Sequence, residues 1–342
     1  MKTLYLDCSM GAAGDMLTAA LLELLPDPEG FVEELNGLGI PHVSFSAEKI
    51  VKCGITGTHM SVRISGHTED EEMENYHAEH QHHSHSGLQE ISYLISHMDL
   101  PAGVAQNVLS VYGLIAQAES HVHGVPVSQV HFHEVGSLDA VADVTAVCLL
   151  MDRLSPDQVV VSPVHVGAGT VRCAHGILPV PAPATAYLLQ GVPIYGGAIQ
   201  SELCTPTGAA LLKFFGTKFG EMPAMTPEKI GYGMGKKDFP AANCVRAVLG
   251  QSAGEPVCVL SCNLDDMTGE EIGFAVEELE KEHPAEVYTT AICMKKSRPA
   301  VMLTVVCSPE EEERMVKAMF RHTTTLGIRR SEQVCYRRSP EK

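Results

Sequence analysis

Residues 257–336 constrain the fold most tightly. Apolar alternation over 257–262 reads as a strand, and 269–281 carries apolar residues at helical spacing. A strand over 285–294, a turn over 295–299, a strand over 301–307, a helix over 309–321 and a strand over 328–336 follow. Strand, helix, strand, strand, helix, strand is the ferredoxin-like order. Just ahead of it, Gly250-Gln251-Ser252-Ala253-Gly254-Glu255-Pro256 has the composition of a linker.

The chain opens in a different idiom. Leu4-Tyr5-Leu6 alternates as a short strand, Ser9-Met10-Gly11-Ala12-Ala13-Gly14-Asp15 is a turn of small residues, and 16–25 reads as a helix with Asp15 placed to cap it. Strand, glycine turn and helix begin an α/β unit. A strand over 130–135, a helix over 139–152, a strand over 159–161 and helices over 181–190 and 209–215 continue it. The expected organisation is an α/β region over 1–250, a linker over 251–256 and an α+β ferredoxin-like domain over 257–342. Within the first region, residues of about 66–87 form an acidic, His-rich, low-complexity insert with too little apolar content to pack.

Charge sharpens this division. The chain has 24 Lys and Arg against 42 Asp and Glu, a formal net charge of −18. Between Ile64 and Asp152 there is no Lys or Arg, yet thirteen of the carboxylates and eleven of the 17 histidines lie there. So acidic a chain repels nucleic acid and anionic lipid, and a cation-free block of Asp, Glu and His suits the collection of metal ions. Eleven cysteines without a CxxC pair argue for a reduced cytoplasm and against a ribbon-type zinc site. The start lacks an apolar signal region, and no apolar run approaches the ~18 residues of a membrane span.

Several clusters carry chemistry. Asp7 and Asp15 bracket the glycine turn, where α/β proteins bind ligands; they suit a divalent cation or a cation-bridged phosphate, against the competing reading of a strand end and a helix cap. His131 and His133 alternate onto one strand face, with Glu134 beside them, and Asp139 and Asp143 share a face of the next helix. Imidazoles with a carboxylate can share a metal. His77, His80, His82, His83 and His85 form an imidazole tract suited to nickel, copper or zinc, or serve only as a solvated linker. His175-Gly176 and Thr205-Pro206-Thr207-Gly208 are loops leading into helices; Thr207 either helps hold a phosphate or caps its helix. Gly231-Tyr232-Gly233-Met234-Gly235-Lys236-Lys237 is glycine-rich and basic without Walker spacing. In the second domain, Asp265, Asp266 and Glu270 suit Mg(II) or Mn(II) with a nucleoside triphosphate, and Lys295, Lys296 and Arg298 form a cationic turn fit for its phosphates.

Taken in order, these segments resemble one family, the nickel insertion proteins (nickel chelatases or cyclometallases) of nickel-pincer nucleotide cofactor biosynthesis, which serve lactate racemase. The resemblance rests on Tyr5-Leu6-Asp7-Cys8-Ser9-Met10-Gly11-Ala12-Ala13-Gly14-Asp15, Val130-His131-Phe132-His133-Glu134-Val135-Gly136, His175-Gly176-Ile177-Leu178-Pro179-Val180-Pro181, Thr205-Pro206-Thr207-Gly208, Gly231-Tyr232-Gly233-Met234-Gly235, Asn263-Leu264-Asp265-Asp266-Met267-Thr268-Gly269-Glu270 and Thr325-Leu326-Gly327-Ile328-Arg329. It implies a lyase-class enzyme that inserts Ni(II) into pyridinium-3,5-bisthiocarboxylic acid mononucleotide, with CTP as co-substrate giving CMP and pyrophosphate, and with Mn(II) or Mg(II). It implies CTP in the C-terminal domain, nickel in the N-terminal one, a homo-oligomer, and an apo racemase as recipient of the product. A base among Glu134, Asp139 and His175 would take the ring proton. The chain departs from the family pattern twice. The family continues some tens of residues past the last strand, so a shortened nucleotide site is expected. The turn Lys295-Lys296-Ser297-Arg298-Pro299-Ala300 lacks the glycines expected beside the Arg and after the Pro. A nickel storage or delivery protein and a metal-dependent nucleotide phosphohydrolase are the competing functions.

Overall fold

The computed structural model describes residues 1–65, 87–130, 132, 135–173, 176–252 and 254–335. The chain divides into two compact units, Met1–Ser252 and Ala253–Arg338. It is a mixed α/β protein with one large mixed sheet. The insert expected at 66–87 lies outside the described residues except for Gly87, which stands at the start of a helix.

The first unit contains β1 (Lys2–Asp7), α1 (Gly14–Leu22), α2 (Pro28–Gly37), β2 (Val43–Lys52), β3 (Ile55–Ile64), α3 (Leu88–Ser96), α4 (Ala102–His123) and α5 (Leu138–Leu154). It continues with β4 (Gln158–Val161), β5 (Val164–His165), β6 (Thr170–Cys173), β7 (Gly176–Pro179), α6 (Pro183–Leu188), β8 (Ile194–Tyr195), α7 (Pro206–Phe215), β9 (Lys218–Phe219), β10 (Met225–Met234) and β11 (Cys244–Ser252). Its seven-stranded sheet runs β2-β3-β10-β11-β1-β4-β9. β1 is central, antiparallel to β11 and parallel to β4. Leu4 and Leu6 bury one face of β1 in the main core, while Tyr5 meets Val160 and Val248 on the other.

α1 reaches the sheet because its partner strand lacks side chains at the contact. A Cβ on Gly233 would lie 1.8 Å from the Met16 carbonyl oxygen, and one on Gly231 would lie 2.2 Å from that of Ala20. Helix backbone therefore rests directly on β10. Glu23, just past α1, fastens the same edge: its carboxylate accepts from Thr58 Oγ1 (2.6 Å) and from the Tyr232 N–H (2.8 Å). Behind α1, α5 buries Val141, Val144, Val147 and Leu150, and α4 buries Val104, Val108, Val111, Tyr112 and Ile115.

Three local readings are corrected. α1 is capped by Ala13, and Asp15 sits in the first turn with its Oδ1 accepting the Met16 N–H at 2.8 Å. α7 is capped by Thr205, whose Oγ1 accepts the Gly208 N–H at 3.1 Å, and Thr207 is buried behind it. The segment expected as a linker is mostly strand: β11 runs to Ser252, whose hydroxyl meets Thr3 Oγ1 at 2.7 Å, and the next strand starts at Glu255. Of the strand expected over 130–135, residues 131, 133 and 134 lie outside the described residues, and Phe132 is a bridge position buried against Tyr112.

The second unit contains β12 (Glu255–Leu264), α8 (Gly269–Glu280), β13 (Glu286–Met294), β14 (Arg298–Cys307), α9 (Glu312–His322) and β15 (Arg329–Cys335). Its sheet order is β13-β14-β12-β15, with every neighbouring pair antiparallel. Cys258, Leu260, Cys262 and Leu264 alternate inward from β12, and Leu303, Val305 and Cys307 from β14, against Ile272, Leu279, Met315 and Met319 of the helices. No helix among the described residues is long and apolar enough to cross a membrane.

The close approach at Gly233 sets a sign. Gly233→Ala should lower unfolding free energy by about 1–3 kcal/mol, since an added methyl must displace backbone. Gly113, inside α4, has open space where a Cβ would project, with nothing within 4 Å, so Gly113→Ala should raise stability by up to about 1 kcal/mol. Urea midpoints of the two variants, shifted in opposite directions, check this.

Candidate functional site

In the first unit the segment around Thr205 meets the glycine turn after β1. Gly11 has φ +80°, and a Cβ there would lie 2.0 Å from the Leu203 carbonyl oxygen. The Ala12 N–H donates to that carbonyl at 3.0 Å, and the Thr205 N–H donates to the Ala12 carbonyl at 3.0 Å. A Cβ on Gly208 would lie 2.2 Å from the Ala12 oxygen. The 202–208 loop is thus laid on the turn main chain to main chain. Gly14 is equally hemmed in: a Cβ there would lie 2.5 Å from Asp143 Oδ2, so the α5 carboxylate occupies the space beside the start of α1.

The turn's titratable groups have distinct settings. Asp7 accepts from the Ser9 N–H at 3.1 Å and from Arg246 Nη2 at 2.7 Å. Burial pushes the Asp15 carboxyl up, while the Met16 N–H, His59 and then Lys236 pull it down. His59 Nδ1 lies 2.9 Å from the Met234 carbonyl oxygen. The 235–238 loop that carries Lys236 is held by Lys52, whose Nζ donates to the carbonyls of Lys236 (3.0 Å) and Lys237 (3.1 Å) and to Asp238. Cys8 and Cys204 are fully buried, and burial pushes both thiols up, Cys204 to about 12. Both are therefore protonated at neutral pH and inert as nucleophiles.

Two buried groups in this unit carry no sequence signal strong enough to single them out. His165 is 7% exposed and stacks on Tyr195 with ring centroids 4.7 Å apart and planes 3° apart. Its Nδ1 donates to the Ser9 carbonyl at 3.2 Å, and Tyr195 donates to the same oxygen at 3.3 Å. The other ring nitrogen, Nε2, is buried without a partner among the described residues. Its only signal is its place two residues before the Gly167-Ala168-Gly169 turn. Tyr112, the second, is fully buried in α4, and its hydroxyl also lacks a partner among the described residues. Helical spacing marks its neighbours as core and hides it among them.

In the second unit the acidic turn after β12 meets residues from two other segments. Asp265 Oδ2 lies 3.6 Å from Arg298 Nη1, which brings together two residues singled out in separate motifs. Asp266 Oδ1 accepts from Thr324 Oγ1 at 2.5 Å, and Asn263 Oδ1 accepts from Arg329 at 2.5 Å. Glu270 borders a shallow cavity of about 490 Å³ that Phe274, Arg321, His322 and Thr324 also line. Lys295 and Lys296 are exposed in the β13–β14 turn, where Lys296 and Ser297 have left-handed φ of 61° and 56°. No three His, Cys, Asp or Glu side chains among the described residues converge to hold a metal.

Asp139 lies in the first turn of α5, half-buried, one turn from Asp143. Asp7, Asp15 and Thr207 all fall around the glycine turn. His77, His80, His82, His83, His85, His131, His133, Glu134 and His175 lie outside the described residues.

A family model described as nickel insertion protein matches residues 4–340. A protein of Geobacillus kaustophilus named pyridinium-3,5-bisthiocarboxylic acid mononucleotide nickel insertion protein is 38% identical over 344 residues, spanning 96% of this chain and 82% of its own. A protein of the same name from Acetivibrio thermocellus is 38% identical over 338 residues, spanning 97% of this chain and 82% of its own. Among solved structures, the C-terminal domain of a cyclometallase involved in the synthesis of the NPN cofactor of lactate racemase is 35% identical over 23% of this chain and 55% of its own, with a TM-score of 0.23.

The acidic turn is locked to its helix by a capping box: Thr268 donates from its N–H (2.7 Å) and hydroxyl (3.0 Å) to Glu271, whose N–H returns to Thr268 Oγ1 at 3.3 Å. These bonds hold the Glu271 carboxyl below the usual glutamate value. A depressed carboxylate contributes stability above its unfolded pKa, and that stability is lost as pH falls through the folded value. In an NMR titration Glu271 should protonate below an ordinary glutamate, and Thr268→Val should move it back up.

Proposed function

The chain belongs to the nickel insertion protein family, and from that premise we propose that it inserts Ni(II) into pyridinium-3,5-bisthiocarboxylic acid mononucleotide in a CTP-dependent reaction. The observation that carries this reading is the match across residues 4–340 together with 38% identity to relatives bearing that name over 96% of this chain. The product is the nickel-pincer cofactor that an apo racemase receives.

Nickel is the cargo. Its ligands change from protein imidazole and carboxylate to the two thiocarboxylate sulfurs, which are softer donors. The ring carbon between them supplies the electron pair of its C–H bond to nickel, the proton leaves to a base, and no oxidation state changes. Glu134, Asp139 and His175 remain the candidate bases. His77, His80, His82, His83 and His85 gather the ion, and His131 and His133 pass it on. Asp7, Asp15 and Thr207, gathered at the glycine turn, hold substrate or a second metal. The turn's backbone density supports this reading: three separate segments fix the same few peptides, which holds binding groups in place.

The second unit takes the nucleotide. Its strand order β13-β14-β12-β15, antiparallel throughout, supports a ferredoxin-like reading. Asp265, Asp266 and Glu270 are the oxygen donors a hard cation prefers, and Mn(II) or Mg(II) there would neutralise the triphosphate. Lys295, Lys296 and Arg298 complete the phosphate contacts, and net attack of water at the α-phosphorus turns CTP into CMP and pyrophosphate. Arg298 already leans on Asp265, so nucleotide binding would exchange one partner for another. In this proposal the chain is a lyase working in the reduced cytoplasm as a homo-oligomer.

One assay tests the reading. The chain is incubated with CTP, Mn(II), Ni(II) and the pincer precursor. Nickelated product, lost together with CTP affinity in Asp265→Ala/Asp266→Ala, is expected. Nickel uptake without CTP turnover would mark a storage protein, and CTP cleavage indifferent to precursor and nickel would mark a phosphohydrolase; either would overturn the proposal.

A further inference from the structure

A distant strand brings a cation to the glycine turn. Arg246 on β11 lies directly across from Asp7 on β1 and from Tyr232 on β10. Residues in cross-strand register share a sheet face, so Tyr232, Arg246 and Asp7 stand in a row. Two positions back, Val248 pairs with Tyr5, and both are buried on that same face. The arginine thus rises from an apolar floor at the end of β1, where the chain enters the turn, and its side chain stays 43% exposed.

Its hydrogen bonding is incomplete. Nη2 donates to Asp7 Oδ2 at 2.7 Å, while Nε is buried without a partner among the described residues. A guanidinium is a planar fork that suits an oxyanion offering two oxygens. Asp7 offers it one, because Oδ1 accepts the Ser9 N–H at 3.1 Å. The turn is not free to swing and correct this, since the Ser9 carbonyl is held by His165 and Tyr195 at 3.2 and 3.3 Å. Other cations of the unit are served differently. Lys52, Lys213 and Lys229 end on backbone carbonyls, and Lys49 and Arg153 on glutamates. An arginine on Asp7 also weighs against a metal ion at that carboxylate and favours an anion beside it.

We infer that Arg246 binds the phosphate of the mononucleotide substrate. The inference rests on the substrate reading proposed above and deepens it. A phosphate monoester presents three oxygens, so it serves both arms of the fork, Nε included, and Asp7 gives up its single bond. The exposed end of the side chain lets this exchange occur without opening the core. The phosphate sits on the ribose, away from the two thiocarboxylates, so gripping it anchors the substrate and leaves the sulfurs for nickel.

Isothermal titration calorimetry of the full chain tests this, without CTP or nickel. The probes are the precursor mononucleotide and its dephosphorylated nucleoside. The wild-type chain should bind the mononucleotide about tenfold or more tightly than the nucleoside, the scale of hydrogen bonds to a charged group. Arg246→Gln should abolish that preference. Arg246→Lys, which keeps the charge without the fork, should retain part of it. Equal affinity for the two probes in the wild type, binding of neither, or an undiminished preference in Arg246→Gln would overturn the inference. So would a loss that falls equally on both probes, the mark of an arginine that only braces Asp7. Product formation separates this inference from the function it rests on. Nickelated product from a chain indifferent to the phosphate removes the site and leaves the function; a phosphate preference lost in Arg246→Gln, without product, leaves the site and removes the function.

Discussion

Main chain meets main chain around the first helix with no side chain between. Gly11 against Leu203, Gly208 against Ala12, and Gly233 against Met16 would each place a Cβ at 2.0, 2.2 and 1.8 Å from a carbonyl oxygen. Such distances leave glycine as the only residue that fits without moving backbone. Segments separated by almost two hundred positions in sequence are thereby fixed to one turn. The polar groups there inherit that rigidity: Asp7 is tied to Ser9 and Arg246, and the Ser9 carbonyl is held by both His165 and Tyr195.

The two units manage charge in different ways. In the second, cations and carboxylates are interleaved at the surface, as in Arg314 with Glu282 and Glu311, or Arg330 with Glu312 and Glu332. Exposed pairs of this kind contribute little to stability, so they are free to exchange partners. The first unit concentrates its acid along one stretch without Lys or Arg, and part of that stretch, α4 and α5, is folded into the core.

Much of the architecture is legible in the sequence because it follows from period. The six elements of the second unit lie where alternation and helical spacing put them, within a few residues. Helix α5, expected over 139–152, runs Leu138–Leu154. Both caps fall two residues before the expected Asp15 and Thr207, at Ala13 and Thr205, because packing of the turn, not capping chemistry alone, decides where each helix begins. The expected linker is strand instead because Gly, Ser and Pro at the 250–256 boundary are also tolerated at strand ends, where Ser252 finds Thr3. At the site, the acidic turn of the second unit and the glycine turn of the first are visible as motifs. Their partners are not: the pairing of Asp265 with Arg298, the seat of Asp143 on Gly14, and the buried His165 and Tyr112 all arise from contacts between distant segments. A histidine in a two-residue strand and a tyrosine in an apolar helix carry no local mark.

The contact between Gly14 and Asp143 joins the glycine turn to the acidic helix. Gly14→Ala changes no titratable group, but it drives the Asp143 carboxylate from its seat. The decisive measurement is formation of nickelated product by this variant at saturating nickel, with circular dichroism verifying its fold. A folded variant with product formation reduced about tenfold or more is expected, the scale on which small misplacements act. A folded variant with undiminished product formation would contradict the convergence of the two motifs on a single functional centre.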